Sequence, residues 1–236
     1  SRGLGDVYKR QKLLSLSNKE KSKGVIGMSA GNHAQGLAYS GNKLEVNTNI
    51  VMPLGTPFTK IRRTKNFGGN VFLKGKDLVE SKNYVNELIH KFGYIEVHPY
   101  NDYEVIKGQG TIYLEMLKQI SELDYLLVPV GGGGLISGMS LYLKKHYPNS
   151  KVYGVESEDA PTLFKSLENG KPTSLDQVGL FVDGCAVKRI GEETFKISKK
   201  YVDGVKLVSI DEICAAIKDI YEDTRVMSEP TGALAV

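Results

Sequence analysis

Short apolar runs alternate along the chain with longer stretches in which apolar residues recur at helical spacing. Apolar residues three or four positions apart, as at Leu135, Met139 and Leu143, predict amphipathic helices. The apolar runs predict seven strands, at residues 24–27, 49–52, 70–73, 94–97, 125–130, 151–155 and 205–210. Strands that alternate with helices in this way are typical of parallel sheets covered by helices on both faces. The chain is therefore predicted to be an α/β protein.

Length and charge narrow the class of protein. A chain of 236 residues can form one large or two small domains, and its 41% apolar and 25% charged residues are ordinary for a globular protein. The net charge of +4 comes from 31 basic and 27 acidic residues spread along the chain. Because no basic stripe is concentrated anywhere, we predict no nucleic-acid partner. The absence of any run of 18 apolar residues predicts no membrane-spanning segment.

The two cysteines, Cys185 and Cys214, share no short spacing with each other or with a histidine. This pattern argues against a zinc site and a disulfide framework, and it is typical of a reducing compartment. We predict no metal site. Each cysteine is predicted to be a small buried side chain.

Four consecutive glycines at 131–134 follow the predicted strand 125–130 and precede a helix. A backbone without side chains lets several N–H groups approach one anion, and the helix dipole behind them favours negative charge. The alternative is a tight turn whose glycines serve packing only. The loop lacks a Gly-Lys-Ser/Thr ending and the spaced dinucleotide fingerprint, so it is neither type of nucleotide loop. We predict that it binds a phosphate.

A second loop, Ser-Ala-Gly-Asn-His-Ala-Gln-Gly at 29–36, follows the predicted strand 24–27. In parallel sheets ligands lie beyond the carboxyl ends of strands, where both loops are expected. The Asn32 amide can bond a phenolate-like oxygen, and the N–H groups of residues 29–31 can hold a carboxylate. The alternative is that Ser29 and Asn32 only cap a helix. Together the loops predict a site that holds a phosphorylated cofactor at its phosphate and at its ring.

These loops and several further segments resemble the threonine dehydratases of biosynthetic type (threonine ammonia-lyases), which are fold-type-II pyridoxal-phosphate enzymes similar to tryptophan synthase β. The resemblance runs from about Lys12 to Val236. The matching segments are 29–36, 107–111, 128–138, 178–184, 187–195, 222–225 and 229–233. It implies two open parallel-sheet α/β domains with a cofactor cleft between them. Residues 24–101 form the small domain, residues 12–23 and 102–236 the large one, and residues 1–11 are unrelated or artefactual.

The resemblance also implies roles for single residues. Asn32 contacts the ring hydroxyl of pyridoxal 5'-phosphate, and Glu229 lies near this cofactor. The phosphate is held by Gly131, Gly132, Gly133, Gly134 and Leu135, and the substrate carboxylate by Ser29, Ala30, Gly31 and His33. The implied reaction is deamination of L-threonine to 2-oxobutanoate and ammonia, a step of isoleucine biosynthesis. Relatives commonly form dimers or tetramers, which implies a homo-oligomer. Because relatives work in bacterial cytoplasm, plastids or mitochondria, the compartment stays open.

The chain departs from the family at both ends. The family's Schiff-base lysine lies in a Ser-Phe-Lys-x-Arg-Gly motif, which counts back from Asn32 to Gly5, and residues 1–11 do not match it. Lys9 lies four positions later, which on a helix is about 6 Å. The family's serine at the pyridine nitrogen belongs to a motif beyond Glu229 that is not in the chain. We therefore predict a fragment that lacks both ends and has no turnover, whose intact parent is the enzyme.

Two alternatives to this interpretation stay open. One is a serine/threonine dehydratase or serine racemase of the same fold. Racemases usually carry a serine at the position of Ala30 and a carboxylate near Thr162, at a cation site that Glu156 and the Ala160 backbone match. Alanine cannot exchange protons, and threonine is a weaker ligand for a hard cation, so both departures favour dehydration. The other is a catalytically dead binding module that keeps the fold.

Overall fold

The structure, a computed structural model, describes residues 5–76, 78–120 and 122–236, without the side chains of residues 5–8 and 78. Its Cα packing divides the chain into two compact units, one ending at Gly108 and the other beginning at Gln109. The division falls inside helix α6, Tyr103–Met116. Each unit contains its own parallel sheet and its own apolar core.

The first unit has a four-stranded sheet in the order β3-β2-β1-β4, and every pairing is parallel. The strands are β1 Val25–Met28, β2 Thr48–Met52, β3 Asn70–Leu73 and β4 Ile95–Glu96. The helices are α1 Gly5–Ser15, α2 Asn18–Lys23, α3 Asn32–Lys43, α4 Phe58–Asn66 and α5 Leu78–Phe92. The helices cross over between strands because parallel neighbours cannot be joined by a tight turn.

This first sheet is buried on both faces. Successive side chains of a strand point to opposite faces, and Ile50 and Val51 accordingly enter different apolar clusters. Leu37 and Leu13 pack on the face of Ile50, whereas Val85 packs on the face of Val51. Helices therefore cover both sides of the strands that lead into the 29–36 loop.

The second unit has a three-stranded parallel sheet in the order β5-β6-β7. The strands are β5 Tyr125–Pro129, β6 Lys151–Ser157 and β7 Gly204–Val208. The helices are α7 Gly134–His146, α8 Thr162–Glu168, α9 Glu192–Tyr201, α10 Ile210–Thr224 and α11 Pro230–Ala233. Val128, Ile136 and Leu143 belong to the main core and join β5 to α7, which fixes the glycine loop between them.

The structure confirms the α/β class and all seven predicted strands, with ends shifted by a few residues. The predicted domain limits differ from the packing. The division lies at Gly108 rather than at residue 101, and residues 12–23, predicted for the large domain, belong to the first unit. The reason is that Leu13 and Leu16 are buried in that unit's core beside Leu37.

One of the two cysteine predictions is wrong. Cys185 is buried, but Cys214 is exposed because it lies on the outer side of α10, whose buried residues are Ile213 and Ala216. Among the described residues, none of the helices is both long and apolar enough to cross a bilayer. Within those same ranges, His, Cys, Asp and Glu form no group of three that could hold a metal ion.

Candidate active site

The glycine loop joins the end of β5 to the start of α7. Val130 still pairs with β6, since its N–H donates to the Val155 carbonyl at 2.9 Å. Gly133 is the N-cap residue of α7 and has φ 85°, a left-handed conformation that residues with side chains rarely adopt. Because Gly133 has no side chain, it offers no side-chain acceptor to the first N–H groups of α7. These groups are therefore left for another acceptor.

Backbone donors dominate this loop. Within the described residues, the N–H groups of Gly131 to Leu135 donate to no protein acceptor. They lie at the positive end of the α7 dipole, which favours an anion. The geometry therefore fits the predicted phosphate site.

The glycines also serve packing, which was the alternative explanation for them. A Cβ on Gly131 would lie 3.0 Å from the Cys185 Cα, and one on Gly133 would lie 3.0 Å from Ile190 Cδ1 and from Thr194 Cβ. Neither position has room for a methyl group without displacement of its neighbours. The two explanations therefore apply together: the glycines allow close packing, and they leave the N–H groups of the loop without a protein acceptor among the described residues.

The 29–36 loop joins β1 to α3. The Gly31 N–H donates to the Ser29 hydroxyl at 3.0 Å, and Gly31 is the N-cap of α3. The suggestion that Ser29 and Asn32 merely cap the helix is therefore wrong. Asn32 is the first residue of α3 and is exposed, while Ser29, Ala30 and Gly31 are half-buried. A side-chain amide thus stands beside the N-terminal N–H groups of a helix.

The His33 side chain points into the first unit rather than to solvent. Its ring is buried, and Nε2 lies 3.0 Å from the Val97 carbonyl. Burial lowers the pKa of His33 well below its ordinary value, so the neutral ring donates its Nε2 proton to that carbonyl. For the predicted carboxylate site, His33 can therefore offer its backbone N–H but not this ring nitrogen.

Glu229 is the exposed N-cap residue of the short helix α11 in the second unit. Burial, together with the negative charges of Glu156, Glu229 and Asp183, raises the pKa of the Cys185 thiol to about 12. Cys185 lies directly behind Gly131. Glu229 is thus electrostatically linked to the residue that supports the glycine loop.

Glu156 and Thr162 lie deep in the second unit and are both completely buried. Glu156 Oε1 accepts from the Leu163 N–H at 2.8 Å and from the Thr162 hydroxyl at 2.9 Å, and Oε2 accepts from the Phe164 N–H at 2.9 Å. Burial raises the pKa of this carboxyl to about 7 in spite of these donors. Both carboxylate oxygens therefore have donors from the start of α8.

Lys9 was not foreseen as a buried residue. Its side chain is 2% exposed, and Nζ donates to the Pro99 carbonyl at 3.2 Å. Burial lowers the pKa of this amine to about 7, although the charge of Asp102 opposes the shift. The resemblance predicts that residues 1–11 are unrelated sequence. The pattern of apolar residues in this stretch does not indicate that α1 buries a lysine.

The structure places the predicted site residues in two local groups. Ser29 to His33 form one loop in the first unit, and the glycine loop and Glu229 belong to the second. A family model described as pyridoxal-phosphate dependent enzyme matches residues 7–236. The chain belongs to this family. The match begins inside the stretch 1–11, earlier than the resemblance indicated.

Individual members of the family are similar to this chain over nearly its whole length. It is 48% identical over 224 residues to a biosynthetic L-threonine dehydratase of Pasteurella multocida, covering 95% of the chain and 44% of the relative. It is 50% identical over 227 residues to the mitochondrial threonine dehydratase of Schizosaccharomyces pombe, covering 95% and 38%. The chain thus spans less than half the length of these curated relatives.

A solved structure, the processed form of threonine deaminase isoform 2 from Solanum lycopersicum, superimposes with a TM-score of 0.96 at 42% identity, covering 98% of the chain and 68% of the other. The family uses pyridoxal phosphate, and this chain's residues fit that group. Among the described residues, the N–H groups of the glycine loop have no protein acceptor and so suit a phosphate, and the amide of exposed Asn32 suits a ring oxygen.

Proposed function

We propose that the chain carries the cofactor and substrate loops of a threonine dehydratase, which deaminates L-threonine to 2-oxobutanoate and ammonia in isoleucine biosynthesis. The observation that carries the proposal is the glycine loop of a pyridoxal-phosphate family member, whose N–H groups at the start of α7 have no protein acceptor within the described residues. The names of the similar proteins, threonine dehydratase and threonine deaminase, support the choice of substrate.

The proposed division of labour follows the two loops. The N–H groups of Gly131 to Leu135 hold the phosphate, and the Asn32 amide bonds the ring hydroxyl. The N–H groups at the start of α3 hold the substrate carboxylate, helped by the positive end of the helix dipole. Glu229 contributes negative charge near the cofactor. When bound, the cofactor supplies an electron sink for the charge that develops at the substrate Cα.

Dehydration is favoured over racemisation by two residues. Ala30 has no titratable group, so at this position the chain offers no acid or base for the second face of the substrate. Thr162 donates its hydroxyl proton toward Glu156 instead of adding a negative ligand beside it. The position at which racemases bind a hard cation therefore has fewer negatively charged ligands in this chain.

The chain itself is expected to bind without turnover, because residues 1–11 lack the Ser-Phe-Lys-x-Arg-Gly motif. Purified chain is mixed with pyridoxal phosphate, reduced with borohydride and mapped by mass spectrometry, and 2-oxobutanoate is measured after addition of L-threonine. We expect saturable binding, no 2-oxobutanoate and no stoichiometric adduct at a single lysine.

The matched control installs the motif by Gly3→Ser, Leu4→Phe, Gly5→Lys, Val7→Arg and Tyr8→Gly. We expect this variant to form one adduct, at position 5. A stoichiometric adduct at Lys9 in the unaltered chain would contradict the proposal, because it would mean that Lys9 replaces the family's lysine. For the whole protein we further propose a homo-oligomer, a dimer or tetramer, which light scattering can distinguish from a monomer.

A further inference from the structure

Three successive carbonyls of the glycine loop each lie within hydrogen-bond distance of a donor group. The Thr162 hydroxyl lies 3.2 Å from the Gly131 carbonyl oxygen. The Gly132 carbonyl accepts from the Thr194 hydroxyl at 2.7 Å and from the Gly191 N–H at 3.4 Å, and the Gly133 carbonyl accepts from the Ser137 N–H at 3.0 Å. In a trans peptide the carbonyl and the next N–H point in opposite directions, and the described residues contain no cis peptide. A donor on each carbonyl therefore sets the direction of the following N–H.

The two threonines are not equivalent, because a hydroxyl has only one proton to donate. The Thr162 oxygen lies closer to Glu156 Oε1, at 2.9 Å, than to the Gly131 carbonyl, at 3.2 Å. The Thr194 oxygen lies 2.7 Å from the Gly132 carbonyl and 3.1 Å from the Gly191 carbonyl. Thr194 is thus the side chain whose proton goes to the loop.

Thr194 is itself held firmly. It is completely buried on α9, and its backbone carbonyl accepts from the Ser137 hydroxyl of α7 at 3.0 Å. The Ser137 hydroxyl also lies 3.4 Å from that of Ser198, one turn further along α9. A Cβ on Gly133 would lie 3.0 Å from Thr194 Cβ, so the loop rests directly on this residue. Close packing leaves little freedom for the hydroxyl to move away.

We infer that Thr194 is a positioning residue of the phosphate site: its hydroxyl fixes the Gly132 carbonyl and so turns the Gly133 N–H toward the anion. This inference rests on the proposed function, since it assumes that the glycine loop holds a phosphate. It adds a residue that touches neither cofactor nor substrate. Without the hydroxyl, the Gly132 carbonyl loses its closest donor and keeps only the longer bond from the Gly191 N–H, at 3.4 Å, so the peptide that carries the Gly133 N–H is held less firmly.

The test compares pyridoxine 5'-phosphate with pyridoxine, which differ by the phosphate and lack the aldehyde that would react with lysines. Both affinities are measured by calorimetry on the full chain. For the unaltered chain we expect the phosphorylated ligand to bind about 100-fold more tightly, in line with several charge-assisted hydrogen bonds. Thr194→Val should lower this preference by about tenfold, roughly the loss of one such bond.

Two comparisons separate the positioning role from general destabilisation. Thr194→Ser should keep the preference within about threefold of the unaltered chain, whereas Thr194→Ala should lose about tenfold, since the pair differs by the hydroxyl alone. If circular dichroism shows that Thr194→Val is unfolded, the comparison of Thr194→Ser with Thr194→Ala takes its place. Thr64→Val is the matched control, because Thr64 is completely buried in the first unit and its hydroxyl bonds the Lys60 carbonyl at 3.0 Å. It should leave the preference unchanged.

The outcomes distinguish the inference from the proposal beneath it. An unaltered chain with no preference for the phosphorylated ligand would refute the phosphate site itself. A clear preference that Thr194→Val and Thr194→Ala leave intact would refute the role of Thr194 alone. Weaker binding of both ligands by the same factor would also overturn the inference, because it would show a structural role without effect on the phosphate.

Discussion

The 29–36 loop and the glycine loop occupy the same place in their respective units, between a parallel strand and the helix that follows it. They differ in what they present. The first offers an exposed side-chain amide, Asn32, next to helix N–H groups. The second offers backbone alone, and neighbouring side chains such as Thr194 set the orientation of that backbone. Both loops can thus be identified from residue types, but the orientation of the backbone donors in the second depends on what lies behind the loop.

The sheets beneath the two loops also differ, in how much of each strand is buried. Every residue of β2 is buried, because helices cover both faces of the first sheet. In β5, buried Leu126 and Val128 alternate with Tyr125 and Leu127, which are 62% and 48% exposed. Within the described residues, the strand that leads into the glycine loop is therefore covered on one face only. The loop is bonded to the sheet through Val130 and to α9 through the Thr194 hydroxyl.

The largest effect should come from Gly133→Ala. The substitution forces a methyl group into a left-handed conformation at φ 85° and into contact with Ile190 and Thr194. We expect it to lower the free energy of unfolding by about 2–4 kcal/mol and to abolish the preference for pyridoxine 5'-phosphate over pyridoxine. Urea denaturation and calorimetry measure the two effects.

Gly170→Ala is the matched control for Gly133→Ala. Gly170 has φ 68°, but the nearest atom to an added Cβ is Lys199 Nζ at 4.0 Å. Gly170→Ala should therefore lower the free energy of unfolding by only about 1 kcal/mol, the cost of placing a residue with a side chain in a left-handed conformation. Equal costs at both positions would mean that the glycine loop is not closely packed, and the contrast between the two loops would lose its basis.

A smaller effect is expected for Lys9→Met in the first unit. The Lys9 amine has a pKa of about 7 in the folded chain against an ordinary value of 10.5, so between these pH values the folded chain binds fewer protons than the unfolded chain. The energetic cost of burying the Lys9 amine is therefore complete below pH 7. This cost decreases as the pH rises from 7 toward 10.5. We expect Lys9→Met to raise the free energy of unfolding by about 1–3 kcal/mol at pH 7, with a smaller gain at pH 10.

Urea denaturation at several pH values tests this expectation. Gln11→Met is the control, because it places the same side chain at an exposed position of α1 and changes no titratable group. It should follow the unaltered chain at every pH. A constant effect of Lys9→Met across this pH range would contradict the assignment of a buried amine.

The smallest effect should come from Asn32→Ala. Asn32 is exposed, so the free energy of unfolding should change by less than about 0.5 kcal/mol. Loss of one hydrogen bond to the ring should weaken pyridoxine 5'-phosphate and pyridoxine alike, by about five- to tenfold. The ratio of the two affinities should stay unchanged, in contrast to Thr194→Val. A change in that ratio would show that the two loops do not divide the ligand as proposed.

Local patterns accounted for much of the fold and for the position of both loops. All seven strands follow from short apolar runs, because such a run is a local signal of a buried strand. The side-chain contacts behind the loops have no such signal. Thr194 lies 62 residues from Gly132, and His33 lies 64 residues from Val97. Neither contact could be inferred without knowing how the helices pack.

The amino-acid sequence by itself therefore determined the α/β class, the positions of the two loops and the resemblance to pyridoxal-phosphate enzymes. Tertiary structure alone decided that Gly31 is the N-cap residue of α3, that the His33 ring turns inward, and that α1 buries Lys9. It also decided that Thr194 holds the glycine loop. The physical reason is that apolar periodicity and glycine content act over a few residues, whereas the direction of a peptide N–H depends on donors that only packing brings to its carbonyl.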